Sequence, residues 1–155
     1  MKTLQNAQYQ DPPIQEDLAA ILKSCQRIAI VGLSPKEARD SNRVARYLLK
    51  QGYEIVPVNP GQKKILGRPC YPSLAAIPFQ VNMANLFLNP SRVPPVVDQA
   101  IALGLQVLWM QLGVVHEAAA RKARQAGIRV VMDRCIMEEH KKISRCTPDS
   151  PFPPI

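Results

Sequence analysis

The chain has 155 residues, 46% of them hydrophobic and 21% charged, a length and balance that describe one compact unit with its own core and exclude global disorder. Lysine and arginine outnumber aspartate and glutamate by 20 to 12, giving a net charge of +8, which suits contact with an anion, either nucleic acid or a phosphorylated small molecule. No apolar run reaches the roughly 18 residues of a membrane span, residues 1–11 lack the apolar stretch of a secretory signal, and a cytoplasmic protein without membrane contact is expected.

In chain order, Asp11-Pro12-Pro13 opens a helix over 12–25, with Ile14, Leu18, Ile21, Leu22 and Cys25 at helical spacing. Ile28-Ala29-Ile30-Val31-Gly32 reads as the first strand, and Ser41 stands where it can cap a helix running through Gln51. An internal echo follows: Gln51-Gly52-Tyr53-Glu54-Ile55-Val56, Leu103-Gly104-Leu105-Gln106-Val107-Leu108 and Ala126-Gly127-Ile128-Arg129-Val130-Val131. Each glycine ends a helical pattern and precedes an apolar run, the signature of a left-handed helix stop and then a strand buried on both faces. Between the first two echoes, residues 81–88 form a weaker strand interrupted by Asn82 and Asn85, and Pro94-Pro95 suit the first turn of a helix. Residues 115–126 are rich in helix-favouring alanine, residues 136–143 suit a short last helix, and 147–155 holds four prolines and should be extended or disordered. About five strands alternating with helices predict an α/β fold, an open and mostly parallel sheet with helices on both faces, in a single domain through residue 146. Pro57 inside the second strand removes a ladder hydrogen bond, which points to a sheet edge.

In such a sheet, ligands bind outside the carboxyl ends of the strands, where strand order reverses. The first loop there is Gly32-Leu33-Ser34-Pro35-Lys36, followed by Arg39, Ser41 and Arg43 at a helix start. Glycine lets backbone approach a phosphate, Ser34 offers a hydroxyl, and the helix N-terminus adds N–H groups and a positive dipole end, the parts of a phosphate cradle. It is not the nicotinamide dinucleotide fingerprint, because Ser34 and Glu37 stand where that motif needs glycines, and Val58-Asn59-Pro60 replaces the ribose-binding carboxylate. The second loop, Asn59-Pro60-Gly61-Gln62-Lys63-Lys64, brings two cations to the same rim. The third, Phe87-Leu88-Asn89-Pro90, and the fourth, Gln111-Leu112-Gly113-Val114, offer apolar surface and amides suited to an adenine or a pantetheine arm.

Chemistry has fewer candidates. His116 and His140 lack a spaced nucleophile or carboxylate that would mark a triad, and Asp133-Arg134-Cys135 after the last strand is explained by structural roles. No catalytic residue and no metal ligand is assigned. Cys25, Cys70, Cys135 and Cys146 form no C-x-x-C pair and suit free thiols in a reducing compartment. Aromatics are only 5% and the basic residues do not line one helix face, which disfavours a nucleic-acid partner.

Together these motifs resemble the small bacterial and archaeal CoA-binding proteins, similar to the N-terminal CoA-binding domain of the succinyl-CoA synthetase alpha subunit. The resemblance is carried by Ile28-Ala29-Ile30-Val31-Gly32-Leu33-Ser34, residues 53–60, Cys70-Tyr71-Pro72-Ser73-Leu74, Trp109-Met110-Gln111-Leu112-Gly113-Val114 and Val131-Met132-Asp133-Arg134-Cys135-Ile136. It implies a Rossmann-like fold with the phosphates of coenzyme A near Gly32, Leu33, Ser34, Pro35 and Lys36. It also places Val58, Asn59, Pro60 and Lys63 beside the nucleotide, and the loops at Phe87 and Gln111 along the rest of the ligand. Relatives often carry arginines after Phe87, where this chain has Leu88-Asn89, and often have acidic residues near Lys63-Lys64. The phosphohistidine chemistry of the synthetase depends on a further domain. The expected function is therefore a CoA or acyl-CoA binding module without catalysis, the alternative being a component of a CoA-thioester enzyme completed by a separate partner chain. Gly32→Val is expected to abolish binding and leave the fold intact.

Overall fold

The computed structural model describes residues 15–146; the Pro12-Pro13 helix start and the proline-rich segment 147–155 lie outside the described residues. Among the described residues five α-helices are present: α1 Gln15–Ser24, α2 Asp40–Lys50, α3 Val93–Leu103, α4 Glu117–Gln125 and α5 Ile136–Cys146. Strands β1 Arg27–Val31, β2 Glu54–Val58, β5 Met83–Leu86, β6 Val107–Met110 and β7 Arg129–Val131 form one parallel sheet in the order β2-β1-β5-β6-β7. Strands β3 Lys64–Ile65 and β4 Arg68–Pro69 make a small antiparallel hairpin after β2. The expected Rossmann-like α/β architecture is present.

Side chains alternate across each strand, so one sequence run serves two cores. Ile28, Ile30, Ile55, Met83, Val107, Trp109 and Val131 are buried under α1, α2 and α5. Ala29, Val31, Val56, Val58, Ala84, Leu86, Leu108 and Met110 are buried under α3 and α4. Full burial of one such aliphatic side chain stabilises by about 1.5–3 kcal/mol, so the two layers fix the strand ends from which the rim loops leave.

Pro57 sits on the edge strand, as its missing donor requires. Its carbonyl accepts from the N–H of Tyr71, so its main-chain groups face away from β1, and the ladder to β1 loses nothing. The weak strand over 81–88 shrinks to Met83–Leu86 because Asn82 serves a different end: its side-chain oxygen accepts from the N–H groups of Gln26 and Arg27, at 2.9 and 2.8 Å, and fixes the entry into β1. Asn85 remains in the strand, fully buried. Its amide donates to Gln111 Oε1 at 3.1 Å, and Gln111 Oε1 also accepts from the Ile136 N–H at 3.1 Å. A buried polar link thus joins β5, the end of β6 and the start of α5.

Candidate functional site

The chain leaves β1 through α2 toward β2 on one side, whereas β5 lies on the other side of β1. The switch point is therefore the gap beyond Gly32 and Phe87. Two cavities open there and meet at Gly32, Phe87 and Leu88. The first, about 590 Å³, lies toward β2, where Val58, Asn59, Pro60, Asn89, Ser91 and Arg92 line it. The second, about 530 Å³, lies toward α2 and β6, where Ser34, Arg39, Ser41, Gln111, Gly113 and Val114 line it.

Gly32 is fixed by its own sheet. Its φ is +89°, its N–H donates to Val58 O at 2.9 Å, and a Cβ there would fall well inside contact with the carbonyl oxygen of Phe87. The expectation that Gly32→Val keeps the fold is therefore corrected: the substitution collides with backbone across the switch point. The glycine lets the β1 and β5 loops approach closely where the two cavities meet.

The next turn is held by neutral polar side chains. The Ser34 N–H donates to Ser41 Oγ at 3.0 Å, the Asn42 amide donates to Ser34 O at 2.9 Å, and the Lys36 N–H donates to Ser34 Oγ at 3.0 Å. Asn59 Nδ2 donates to Leu33 O at 2.9 Å, coupling the second loop to the first. Ser41 does not cap its helix. Arg39 takes the extended N-cap backbone without a side-chain bond, α2 begins at Asp40, and the buried Ser41 hydroxyl serves the Ser34 turn instead.

Among the sequence-predicted site residues, Gly32, Ser34, Val58, Asn59, Pro60, Phe87, Leu88, Asn89, Gln111, Gly113 and Val114 come together along the two cavities. Leu33 is fully buried and reaches the rim only through its carbonyl. Pro35, Lys36, Arg43, Lys63 and Pro90 do not line either cavity. Arg43 instead pairs with Asp40 at 2.8 Å, offsetting a carboxylate that faces the second cavity.

The cations that do line the groove are Arg39 and Arg92, and neither has an ion pair among the described residues. Arg92 escaped the sequence reading, although Asn89-Pro90-Ser91-Arg92 carries its signal: Asn89 Oδ1 accepts from the Ser91 N–H at 2.9 Å and caps the short 3-10 turn Pro90–Arg92. Asn42 was missed too, because a polar residue inside a helix looks solvated until its burial is known.

The two histidines and Cys70 are engaged within the fold. His116 caps α4, its Nδ1 accepting from the Ala119 N–H at 3.1 Å. His140 is buried beside Tyr47, whose hydroxyl lies 2.6 Å from His140 Nδ1, and burial lowers its pKa. Burial pushes the Cys70 thiol up, which keeps it protonated and poorly nucleophilic at neutral pH. Cys25, Cys70 and Cys135 are free thiols. Among the described residues no group of His, Cys, Asp and Glu is placed to hold a metal, and no helix is long and apolar enough to cross a membrane.

Fold and groove define a Rossmann-like α/β domain with its cleft at the switch point. The chain belongs to the CoA binding domain family, whose sequence model matches residues 26–141. It is 34% identical to a curated Bacillus subtilis (strain 168) protein named uncharacterized protein YneT, over 83% of this chain and 95% of that protein. A solved structure described as a hypothetical protein from Pyrococcus horikoshii OT3 is 42% identical with a TM-score of 0.83, covering 86% of this chain and 94% of that one. An ADP-forming acetate–CoA ligase I of Archaeoglobus fulgidus is 26% identical over 70% of this chain, which spans 17% of the ligase's length.

Proposed function

We propose that this chain binds coenzyme A or an acyl-CoA in the groove across Gly32, Phe87 and Leu88, as a binding module without catalysis of its own. The observation that carries the reading is the adjoining pair of cavities at the switch point, with a pinned polar turn at the middle and, along it, Arg39 and Arg92, neither ion-paired among the described residues. That layout suits an elongated ligand with a nucleotide at one end and phosphates in the middle. Family membership supports the same ligand. The nucleotide end fits the cavity beside Val58, Asn59 and Pro60, and the pyrophosphate fits the turn at Ser34 and the first turn of α2, whose N–H groups have no partner within the helix. A cytoplasmic location agrees with this reading.

The second reading, a component of a CoA-thioester enzyme completed by a partner chain, is supported by the match to a 17% segment of a ligase. Mass spectrometry of small molecules released from protein purified without added cofactor tests the main proposal. Release of coenzyme A or a thioester is the expected result; release of a dinucleotide in its place would contradict it.

A further inference from the structure

We infer that a third rim cavity, beside β7, receives the acyl group of a CoA thioester, and that it suits a short neutral aliphatic acyl group over one ending in a carboxylate. The inference rests on the CoA reading above. The cavity measures about 470 Å³, and Leu112, Met132 and Cys135 supply its apolar wall. It adjoins the groove: Leu112 lines both this cavity and the one beside α2. The Leu112 side chain, 68% exposed, stands at the junction.

The wall is built rather than loose. Asp133 Oδ1 accepts from the Gly113 N–H at 2.7 Å, tying the loop after β7 to the loop after β6. Asp133 does this with φ at +63°, a left-handed backbone that aspartate tolerates better than most residues. The Trp109 indole N–H donates to Arg134 O at 2.8 Å from inside the core. Three cavities thus run in order along the rim from β2 to β7. At about 4.8 Å per strand, the five-stranded sheet gives that row a length of roughly 19 Å. A ligand with its nucleotide at the β2 end and its phosphates at Ser34 sends its thiol end toward β7.

Charge decides which acyl group fits. Among the described residues Arg134 is the one cation lining this cavity, and it is engaged by Glu139 at 3.4 Å; Lys142 meets the same carboxylate at 3.5 Å. Asp133 and Glu138 also line the cavity and have no ion pair among the described residues. The lining therefore carries excess negative charge, which repels a terminal carboxylate, while Leu112, Met132 and Cys135 offer contact to methylene groups.

Calorimetric titration with CoA, acetyl-CoA, butyryl-CoA and succinyl-CoA tests this. Each methylene-sized group contributes up to about fourfold when fully buried, so partial burial of a butyryl chain should make butyryl-CoA bind about tenfold tighter than CoA. Succinyl-CoA should bind at least about fivefold more weakly than butyryl-CoA. Met132→Ser should remove most of the butyryl preference. Glu138→Gln, at an exposed site that does not endanger folding, should narrow the gap between succinyl-CoA and butyryl-CoA. Binding of CoA with no gain for butyryl-CoA overturns the acyl cavity and leaves the CoA reading standing. Succinyl-CoA binding as tightly as butyryl-CoA overturns the charge selection, and failure of wild-type protein to bind CoA at all overturns both readings.

Discussion

Two basic loops follow carboxyl ends of neighbouring strands, and they differ in what holds them. The turn after β1 is fixed by Ser41, Asn42 and Asn59, all neutral and engaged with main-chain groups, and two of them buried. The segment after β2 carries Lys63 and Lys64 exposed, at the start of a short hairpin, and neither lysine lines the groove. Positive charge in a sequence is therefore a poor guide to which residues line the groove. Order at the rim comes from buried polar side chains whose lost hydrogen bonds would cost about 1–3 kcal/mol each, whereas an exposed cation contributes about 1 kcal/mol or less after screening.

The largest expected effect tests the pinned turn at its tightest point. Gly32→Val should destabilise the fold by about 3 kcal/mol or more, through a strained φ and the clash with the Phe87 carbonyl. Circular dichroism with a melting curve checks it; a variant melting within a few degrees of wild type would show that the loops can separate. Asn42→Ala comes next. It frees Ser34 O and Arg46, whose Nε donates to Asn42 Oδ1 at 2.8 Å, and should cost about 1–3 kcal/mol of stability with roughly tenfold weaker CoA binding.

A buried group remote from both loops sharpens the contrast. His140 has a folded pKa lowered by burial, so the unfolded chain binds its proton first, and the contribution present at neutral pH is lost as pH falls through the ordinary histidine value toward the lowered one. Melting temperature should fall more steeply from about pH 7 to about pH 5 in wild type than in His140→Gln. Equal slopes would remove His140 from the core's acid sensitivity. The smallest effects separate the two kinds of cation: Arg92→Ala or Arg39→Ala should weaken CoA binding by up to about fivefold in a salt-dependent way, and Lys63→Ala by less than about twofold. A larger loss at Lys63 than at Arg92 would invert the comparison.

Much of this was legible in the residues. The helix-glycine-strand echo gave three of the five sheet strands, and Gly52, Gly104 and Gly127 all adopt the positive φ that it implies. Pro57 marked its edge. The groove's backbone path at Gly32, Asn59, Phe87 and Gly113 was also readable, because these residues follow strand ends. What stayed hidden depends on three-dimensional direction. Ser41 and Asn42 look like helix-start polar residues until burial turns them inward. Arg43 looks like a phosphate contact until Asp40, three residues earlier, is seen to hold it. Gln111 looks like a ligand amide, yet its oxygen is engaged below the rim by Asn85 and Ile136.

The groove across Gly32, Phe87 and Leu88 is proposed to take coenzyme A and not a nicotinamide dinucleotide. Isothermal titration of the wild-type chain with CoA, NAD and NADP under one salt condition tests it most directly. A groove with Asn59 at the end of β2, in place of a ribose-binding carboxylate, predicts saturable binding of CoA with NAD at least about a hundredfold weaker. Binding of NAD as tight as that of CoA, or tighter, would contradict it.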